Sequence, residues 1–404
     1  MRDMTVTVPD AAQLPSSAEV SADDLAQILA ATRQFVREKV VPRETEIAEG
    51  QAIPDDLRAA MADLGLFGFA VPQQWGGLGL DLAQDVLLAE ELGYTSLAVR
   101  SMVGTNNGIA GQVLVEFGTD AQRERWLTPM TTGEVVGSFA LTEEGAGSDP
   151  GGLRTSATRT DDGWAIDGTK RFITNATIAG LFIVFARYRE PEKGSPGIGV
   201  FLVPGDAEGI TVGPRDAKMG QEGSSTAEVV FDKVHVSADA VVGDDPDLGY
   251  RAAMTILARG RIHIAAVAVG QAQRALDESL QAAVTTTQGG VSIGDHQLVQ
   301  GMLADQYTQV SAARALVRQT AAAWVSGEDR RIAPSATKLF CTEVLGHVAD
   351  LAVQIHGGSG YMRGVAVERI YRDARLLRLY EGTSEIQRLI VGGNLVKAER
   401  RRLG

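Results

Sequence analysis

Cysteine is almost absent from this chain: of 404 residues only Cys341 is one. A single thiol excludes a disulfide framework within the chain and fits a reducing compartment. Cys341 lies in an Ala/Leu-rich helical stretch and reads as a small buried core residue. The histidines are His235, His263, His296, His347 and His356. They show no metal-ligand spacing, so no metal site is expected. Basic residues are outnumbered, 38 Lys and Arg against 51 Asp and Glu, for a net charge of −13. With no basic run and no interleaving of aromatic and basic residues, that balance argues against a nucleic-acid partner. The N-terminus lacks a basic segment followed by an apolar one, so no secretory signal is read there. No apolar stretch is long enough to span a bilayer without interruption, so no membrane insertion is expected. A cytoplasmic protein is expected. Residues 1–20 are polar, with Pro9, Pro15, Ser16 and Ser17, and read as a mobile tail.

What is present is an ordinary globular composition, 44% hydrophobic and 22% charged. The length exceeds one ordinary core, so two or three domains are expected. Residues 21–136 read as helices: Ser21 is a candidate N-cap, and Leu25, Ile28, Leu29, Thr32 and Val36 follow at helical spacing. Pro54-Asp55 opens another helix that Gly65 ends. The loop Gln74-Trp75-Gly76-Gly77-Leu78-Gly79 lacks the strand and helix that a dinucleotide fingerprint needs, and connects helices. Residues 137–243 carry short β-forming runs between turn residues. Leu181–Arg187, Gly199–Val203 and Ala227–Val236 are strand candidates, with alternation at Val230, Asp232, Val234 and Val236. Asp161-Asp162-Gly163 and Asp167-Gly168 are hairpin-type signals. Residues 244–404 return to helix. Leu303, Tyr307, Val310, Val317, Ala321 and Trp324 mark one bundle face, and residues 287–294 separate two long helices. The expected fold class is α+β and multidomain: an N-terminal helical domain, a middle β domain and a C-terminal helical bundle.

Several short segments carry chemistry. Leu379-Tyr380-Glu381-Gly382-Thr383-Ser384-Glu385 sets a carboxylate against a glycine after an apolar run. A carboxylate in apolar surroundings has its pKa raised toward neutrality, which suits a general base; the plainer reading is a helix stop capped near Gly382. Phe139-Ala140-Leu141-Thr142 leads into a polar turn with Gly145, Gly147, Ser148 and Asp149. Its glycines let backbone amides approach a ligand, and its hydroxyls add donors. Gly168-Thr169-Lys170-Arg171-Phe172-Ile173-Thr174-Asn175 is a strand ending in an aromatic and a hydroxyl. Gln354, Gly357, Gly358 and Gly360 form a third glycine-rich turn, after a helix, and Arg372-Asp373 follows.

In this order these segments resemble the acyl-CoA dehydrogenase family, from about Asp23 to the end of the chain. The resemblance implies an FAD enzyme that removes two hydrogens from the α and β carbons of an acyl-CoA. Glu381 matches the family base. Some members place their base elsewhere, at the position of Gly260, which cannot serve. The flavin contacts map onto Phe139, Leu141, Thr142, Gly147 and Ser148, and onto Phe172, Ile173 and Thr174, with Phe172 where many relatives have Trp. Gln354, Gly357 and Gly358 match a turn that meets the adenosine half, usually from a neighbouring subunit, and Thr383 and Glu385 match contacts after the base. Ser148 resembles the contact to the CoA arm. Arg261 matches an arginine near substrate and base, and Tyr380 and Gly382 flank the base. The resemblance further implies an electron-transferring flavoprotein as acceptor and a homotetramer built as a pair of dimers, with a hetero-oligomer as the variant.

Three positions depart from the pattern. Ala258 stands where many relatives hold the CoA arm with Asp. Thr286 and Gly289 replace the arginine and phenylalanine of Arg-x-x-Phe-Gly, whose arginine reaches the flavin pyrophosphate across a subunit interface. Val99-Arg100-Ser101 resembles the Tyr-Arg-Ser of glutaryl-CoA dehydrogenases, whose arginine meets the far carboxylate of the acyl chain; otherwise Arg100 is exposed or ion-paired. The first two departures keep two other readings open: a non-catalytic partner subunit, or a flavin oxidase or monooxygenase of the same fold acting on a non-CoA substrate.

Overall fold

The computed structural model describes residues 20–188 and 197–403. The expected mobile tail lies outside the described residues except for Val20. Seven helices come first: α1 (Ala22–Phe35), α2 (Glu44–Gly50), α3 (Asp55–Asp63), α4 (Leu82–Gly93), α5 (Leu97–Val103), α6 (Gly111–Phe117) and α7 (Asp120–Thr131). Their starts are written locally. The Ser21 hydroxyl accepts from Asp24 N at 3.2 Å, and Asp81 and Thr119 close capping boxes with Gln84 and Gln122. Gly65, at φ 69°, ends α3 as expected. Between α5 and α6 the helix widens into π-type turns, Gly104–Ala110. Asn106 there accepts from Gly137 N at 2.7 Å and donates to the carbonyls of Phe67 and Met130, which fixes the helical layer to the first strand.

Seven strands form the middle sheet: β1 (Gly137–Ala140), β2 (Ser156–Arg159), β3 (Gly163–Thr174), β4 (Leu181–Tyr188), β5 (Gly197–Pro204), β6 (Ile210–Val212) and β7 (Thr226–Ser237). The three strand candidates are all present. One edge of β4 pairs with β5, while β1 and β2 share its other edge in parallel, β1 over Leu181–Val184 and β2 over Arg187–Tyr188. The chain between β1 and β2 must therefore leave the sheet and return to the same edge. That excursion is the Thr142–Asp149 turn. Its backbone has no ladder, so a buried ion pair holds it. Lys170 Nζ donates to Glu143 at 2.8 Å and to the Leu141 carbonyl at 3.1 Å, and Glu143 also accepts from the Arg154 and Thr155 amides at 2.6 and 2.9 Å. Burial pushes the Lys170 ammonium down to about 8, against the pull of Glu143.

Two expectations about strand texture are corrected. Asp167-Gly168 is not a hairpin but lies inside β3, where the register with β7 slips between Ile166 and Gly168. Thr155 fills the place of a Gly168 side chain, with its hydroxyl oxygen 2.6 Å from where a Cβ would stand. On β7 the alternation breaks at Lys233, which has φ 51°. Val229 and Phe231 point into the core before the bulge and Val234 and Val236 after it, because one extra residue reverses the facing of those that follow.

Five helices complete the chain: α8 (Gly249–Thr285), α9 (Gln297–Val325), α10 (Ala333–His356), α11 (Ala366–Leu377) and α12 (Ser384–Leu403). The 287–294 break between α8 and α9 contains a small hairpin, β8 (Thr287–Gln288) with β9 (Val291–Ser292), turned by Gly289 and Gly290 at φ 61° and 83°. On α9 the buried face runs through Gln306, Val310, Ala313, Val317 and Ala321, and Tyr307 falls off it, 50% exposed. Cys341 is buried in α10, as expected, and burial pushes its thiol upward. Helix α8 corrects the expectation of no spanning stretch, since by length and composition it could cross a membrane. In this protein it is largely enclosed, packed on α4, α9, α10 and α11, and forms the centre of the bundle core with Ile262, Ile264, Val267 and Val269.

The buried pair under the Thr142 turn generates a stability test. Lys170→Met leaves Glu143 buried without its cation, which costs about 3–5 kcal/mol. The double variant Lys170→Met/Glu143→Gln removes that charge and keeps an acceptor for one of the two amides. Urea denaturation should find the double variant more stable than the single one.

Candidate active site

Glu381 sits in the turn between α11 and α12. It has φ 53°, left-handed and rare for a residue with a side chain, and Gly382 follows at φ 91°. Such a backbone costs about 1–3 kcal/mol and persists only where its surroundings impose it. Here they do. Lys338 on α10 donates to the Gly382 carbonyl at 2.6 Å, and Gln387 on α12 donates to the carbonyls of Glu381 and Gly382 at 3.2 and 2.9 Å. Arg261 on α8 reaches the Glu381 carbonyl at 3.4 Å and Ser335 at 3.5 Å. These bonds use the backbone of the turn and leave the carboxylate alone. Its Oε2 is buried with no hydrogen-bond partner among the described residues. It faces α8 at Gly260, where a Cβ would lie 2.4 Å from Oε2.

The apolar enclosure expected around Glu381 is not what the structure has. Leu379 turns outward, 45% exposed, and the near neighbours are two buried cations. Burial pushes the Lys338 ammonium down to about 8, and pushes the Arg261 guanidinium down as well, with Glu381 pulling each back. The sequence around Glu381 shows only its chain neighbours. Arg261, Ser335 and Lys338 arrive from helices more than forty residues away. Tyr380 packs on the bundle core, and burial raises its hydroxyl to about 12.

A second group of expected residues lies on the sheet. Phe172 has φ 58°, at a register slip between Lys170 and Ile173, and its ring stands 61% exposed with the Arg171 guanidinium 4.7 Å from its centre. Arg171 N donates to the Thr142 carbonyl at 2.8 Å, joining the two flavin-type segments. Phe139 is half-buried against Phe185, with ring centres 4.7 Å apart. Leu141 and Ile173 are buried in the core, so only their backbones can meet a ligand. Thr174 gives its carbonyl to the Ser138 hydroxyl at 2.8 Å. Gly147 and Ser148 are exposed at the tip of the turn, and nothing fills the space beside Gly145.

The remaining expected residues stand apart. Gln354, Gly357 and Gly358 form an exposed end to α10, and among the described residues no hydrogen bond or ion pair joins them to either group. Thr383 accepts from Ile386 N at 3.3 Å as a cap for α12, and Glu385 is exposed in its first turn. Thr286 is exposed at the end of α8, and Ala258 is half-buried within it.

Arg100 is neither exposed nor ion-paired. It is buried on α5, its Nε donates to His263 Nε2 at 3.1 Å, and no carboxylate pairs with it among the described residues. Its charge reaches Tyr380, the neighbour of Glu381. His263, Asp85, Gln221, Lys338 and Gln387 escaped the sequence reading. One signal was available: Arg259 and His263 are four residues apart on α8, hence on one face, and both meet Asp85 of α4.

Comparisons with known proteins bear on the fold and the family. Models described as the N-terminal, middle and C-terminal domains of acyl-CoA dehydrogenase match residues 22–134, 138–234 and 247–396. A probable acyl-CoA dehydrogenase of Bacillus subtilis is 38% identical over 367 residues, 90% of this chain and 96% of that protein. A subunit of the caffeyl-CoA reductase-Etf complex of Acetobacterium woodii is 36% identical over 352 residues, 87% of this chain and 92% of its own. Among solved structures, butyryl-CoA dehydrogenase from Megasphaera elsdenii superposes with a TM-score of 0.87 at 34% identity, covering 92% of this chain and 98% of that one. Glutaryl-CoA dehydrogenase from Mycobacterium smegmatis gives 0.86 at 31%, covering 93% and 95%. An acyl-CoA dehydrogenase from Bacillus anthracis complexed with FAD gives 0.87 at 31%, covering 97% of this chain and 69% of that one. With three domain models in order and relatives matched along nearly their full length, this chain belongs to the acyl-CoA dehydrogenase family.

Proposed function

We propose that the chain dehydrogenates an acyl-CoA between its α and β carbons to the trans-2-enoyl-CoA, with Glu381 as the base that takes the α proton. The observation that carries this is the buried, donor-free Oε2 of Glu381 opposite the bare Gly260. A general base must have a lone pair free and within reach of the proton it abstracts. The bonds from Lys338, Gln387 and Arg261 end on the backbone of the turn and spend none of the carboxylate.

Membership of the family makes the chain an oxidoreductase with FAD as its cofactor. Its residues fit that group. A largely exposed ring on strained backbone at Phe172, beside the open glycine turn at Gly145 and Gly147, is a surface suited to a flat aromatic ligand. Phe139, Leu141, Thr142, Gly147 and Ser148 would hold it from one side, and Phe172, Ile173 and Thr174 from the other. Thr383 and Glu385 would meet it after the base. When bound, FAD supplies the two-electron acceptor for the β hydrogen, which leaves as hydride. The chain's own residues set the position of the thioester against Glu381. Tyr380 and Gly382 flank the reacting carbons, Arg261 fixes the turn from α8, and Ser148 meets the CoA arm. Gln354, Gly357 and Gly358, which contact neither group within the chain, are assigned to the cofactor of a neighbouring subunit in a tetramer. Electrons pass to an electron-transferring flavoprotein, a partner supported by the Acetobacterium woodii relative named as part of a complex with Etf.

The far end of the acyl chain is assigned to Arg100. A buried guanidinium without an anion is costly beside an alkyl tail and is offset by a carboxylate or another strong acceptor. The proposed substrates are short acyl-CoA thioesters with an anionic or strongly polar end, such as glutaryl-CoA.

Three measurements follow. Glu381→Gln should keep fold and FAD but lose at least about 10²–10⁴ in turnover; near-normal flavin bleaching by the best substrate of an acyl-CoA panel would remove the base assignment. Gly260→Ala should raise helix stability by up to about 1 kcal/mol yet lose turnover, because the new methyl displaces Oε2. A variant that gains stability and keeps its rate would place the working carboxylate elsewhere. Arg100→Ala should lower kcat/KM for glutaryl-CoA more than for butyryl-CoA, whereas equal losses would leave a plain short acyl chain as the substrate.

A further inference from the structure

We propose that Asp85 and His263 are positioning residues that hold Arg100 with one edge of its guanidinium free, and that this grip makes the acyl pocket selective for a carboxylate or paired acceptor at the far end of the substrate. The inference rests on the acyl-pocket reading of Arg100.

The hydrogen-bond arithmetic fixes the arrangement. A guanidinium only donates, so the bond from Arg100 Nε to His263 Nε2, at 3.1 Å, requires Nε2 to be the unprotonated nitrogen. The ring proton is then on Nδ1, which donates to Asp85 Oδ1 at 2.7 Å. The other oxygen of Asp85 accepts from Arg259 Nη2 at 2.8 Å. Asp85 thus selects the tautomer of His263, and the tautomer selects where Arg100 is held. Phe69 lies parallel to the imidazole, ring centres 5.6 Å apart and planes 3° from each other, which keeps the ring from turning. Gly104 leaves the space in which the guanidinium sits: a Cβ there would be 2.8 Å from Arg100 Nε. Asp85, His263 and Arg100 are all buried.

The charges reach the same end. Burial opposes ionisation of Asp85, but His263 and Arg259 beside it hold its carboxyl below the usual range. Burial also pushes His263 below its ordinary value, against the pull of Asp85. Asp85 therefore balances Arg259, His263 is neutral, and the charge of Arg100 is left over. Its Nε is engaged by His263, so the Nη1/Nη2 edge is the one able to take two acceptors at once.

The test uses the FAD-loaded enzyme and the ratio of kcat/KM for glutaryl-CoA to that for butyryl-CoA. Arg100→Ala and His263→Leu should each lower this ratio about tenfold or more, mainly through KM for glutaryl-CoA. His263→Gln, whose amide oxygen can still accept from Arg100 Nε, should recover part of it. The double variant Arg100→Ala/His263→Leu should fall no further than Arg100→Ala alone. If His263→Leu does not fold, Gly104→Ala serves instead, since its methyl displaces the guanidinium while His263 stays in place, and it should lower the ratio likewise. If Arg100→Ala moves the ratio while the His263 and Gly104 variants lower both substrates equally, the positioning role is overturned and the Arg100 reading stands. If Arg100→Ala leaves the ratio unchanged, or wild type does not accept glutaryl-CoA, both are overturned.

Discussion

The contact between the Glu381 carboxylate and the bare helix at Gly260 is the constraint on which the site depends. A residue with a side chain adopts left-handed backbone only where its surroundings leave no alternative. At Glu381 three helices impose it through the carbonyls of the turn, with Lys338 from α10, Gln387 from α12 and Arg261 from α8. The same donors could have paired with the carboxylate, as buried cations usually do. Because they are spent on carbonyls, the carboxylate keeps a free oxygen, and glycine on α8 is what gives that oxygen a place. Glycine in mid-helix costs about 1 kcal/mol relative to alanine, and α8 accepts that cost where the Glu381 carboxylate takes the space.

Helix α8 concentrates the rest. Within five residues it presents Arg259 and His263 to Asp85 on α4, Gly260 to Glu381, and Arg261 to Ser335 and the Glu381 carbonyl. A helix enclosed along this stretch can direct different residues to different partners in one turn and a half. The apolar length that gives α8 the look of a membrane span is the same property that lets it run through the bundle core. Arg259, Arg261 and His263 do not break that core, because each meets a group from another helix or turn.

Much of this was legible in the sequence where the signal is local. Caps such as Ser21, the glycine stop at Gly65, the strand runs and the four motif segments all depend on residues a few positions apart, and each appears where its pattern puts it. The failures share one cause. Asp167-Gly168 imitates a hairpin because the residue packed against it, Thr155, lies at the entry to the preceding strand. The alternation on β7 misleads because an extra residue at Lys233 reverses the facing after it. Glu381 has apolar chain neighbours, yet its spatial neighbours are Arg261 and Lys338. His263 was read only for metal spacing, while its actual partners, Asp85 and Arg100, come from helices that local patterning cannot bring to it.

The candidate site also draws on all three layers, so it functions only if they keep their relative placement. Glu381 belongs to the C-terminal bundle, the exposed Phe172 to the sheet and Arg100 to the N-terminal helices. One residue touches all three. Gln221, at φ 52° in the loop before β7, donates its backbone N–H to Asp373 of α11 at 2.5 Å and accepts from the Ser101 hydroxyl of α5 at 3.0 Å. Both bonds are buried, and burial raises the Asp373 carboxyl to about 6, with the Gln221 amide opposing. Asn175, the left-handed residue at the end of β3, adds a second tie from the sheet to the Met102 carbonyl at 3.1 Å. A tilt of any one layer would therefore strand a buried donor or acceptor, at about 1–3 kcal/mol each. Ser101 and Met102 follow Arg100 directly on α5, and Asp373 lies on the helix that leads into the Glu381 turn. The bonds that hold the layers together are thus made beside Arg100 and on the helix that leads to Glu381, so the placement of these two groups rests on hydrogen bonds as well as on apolar packing.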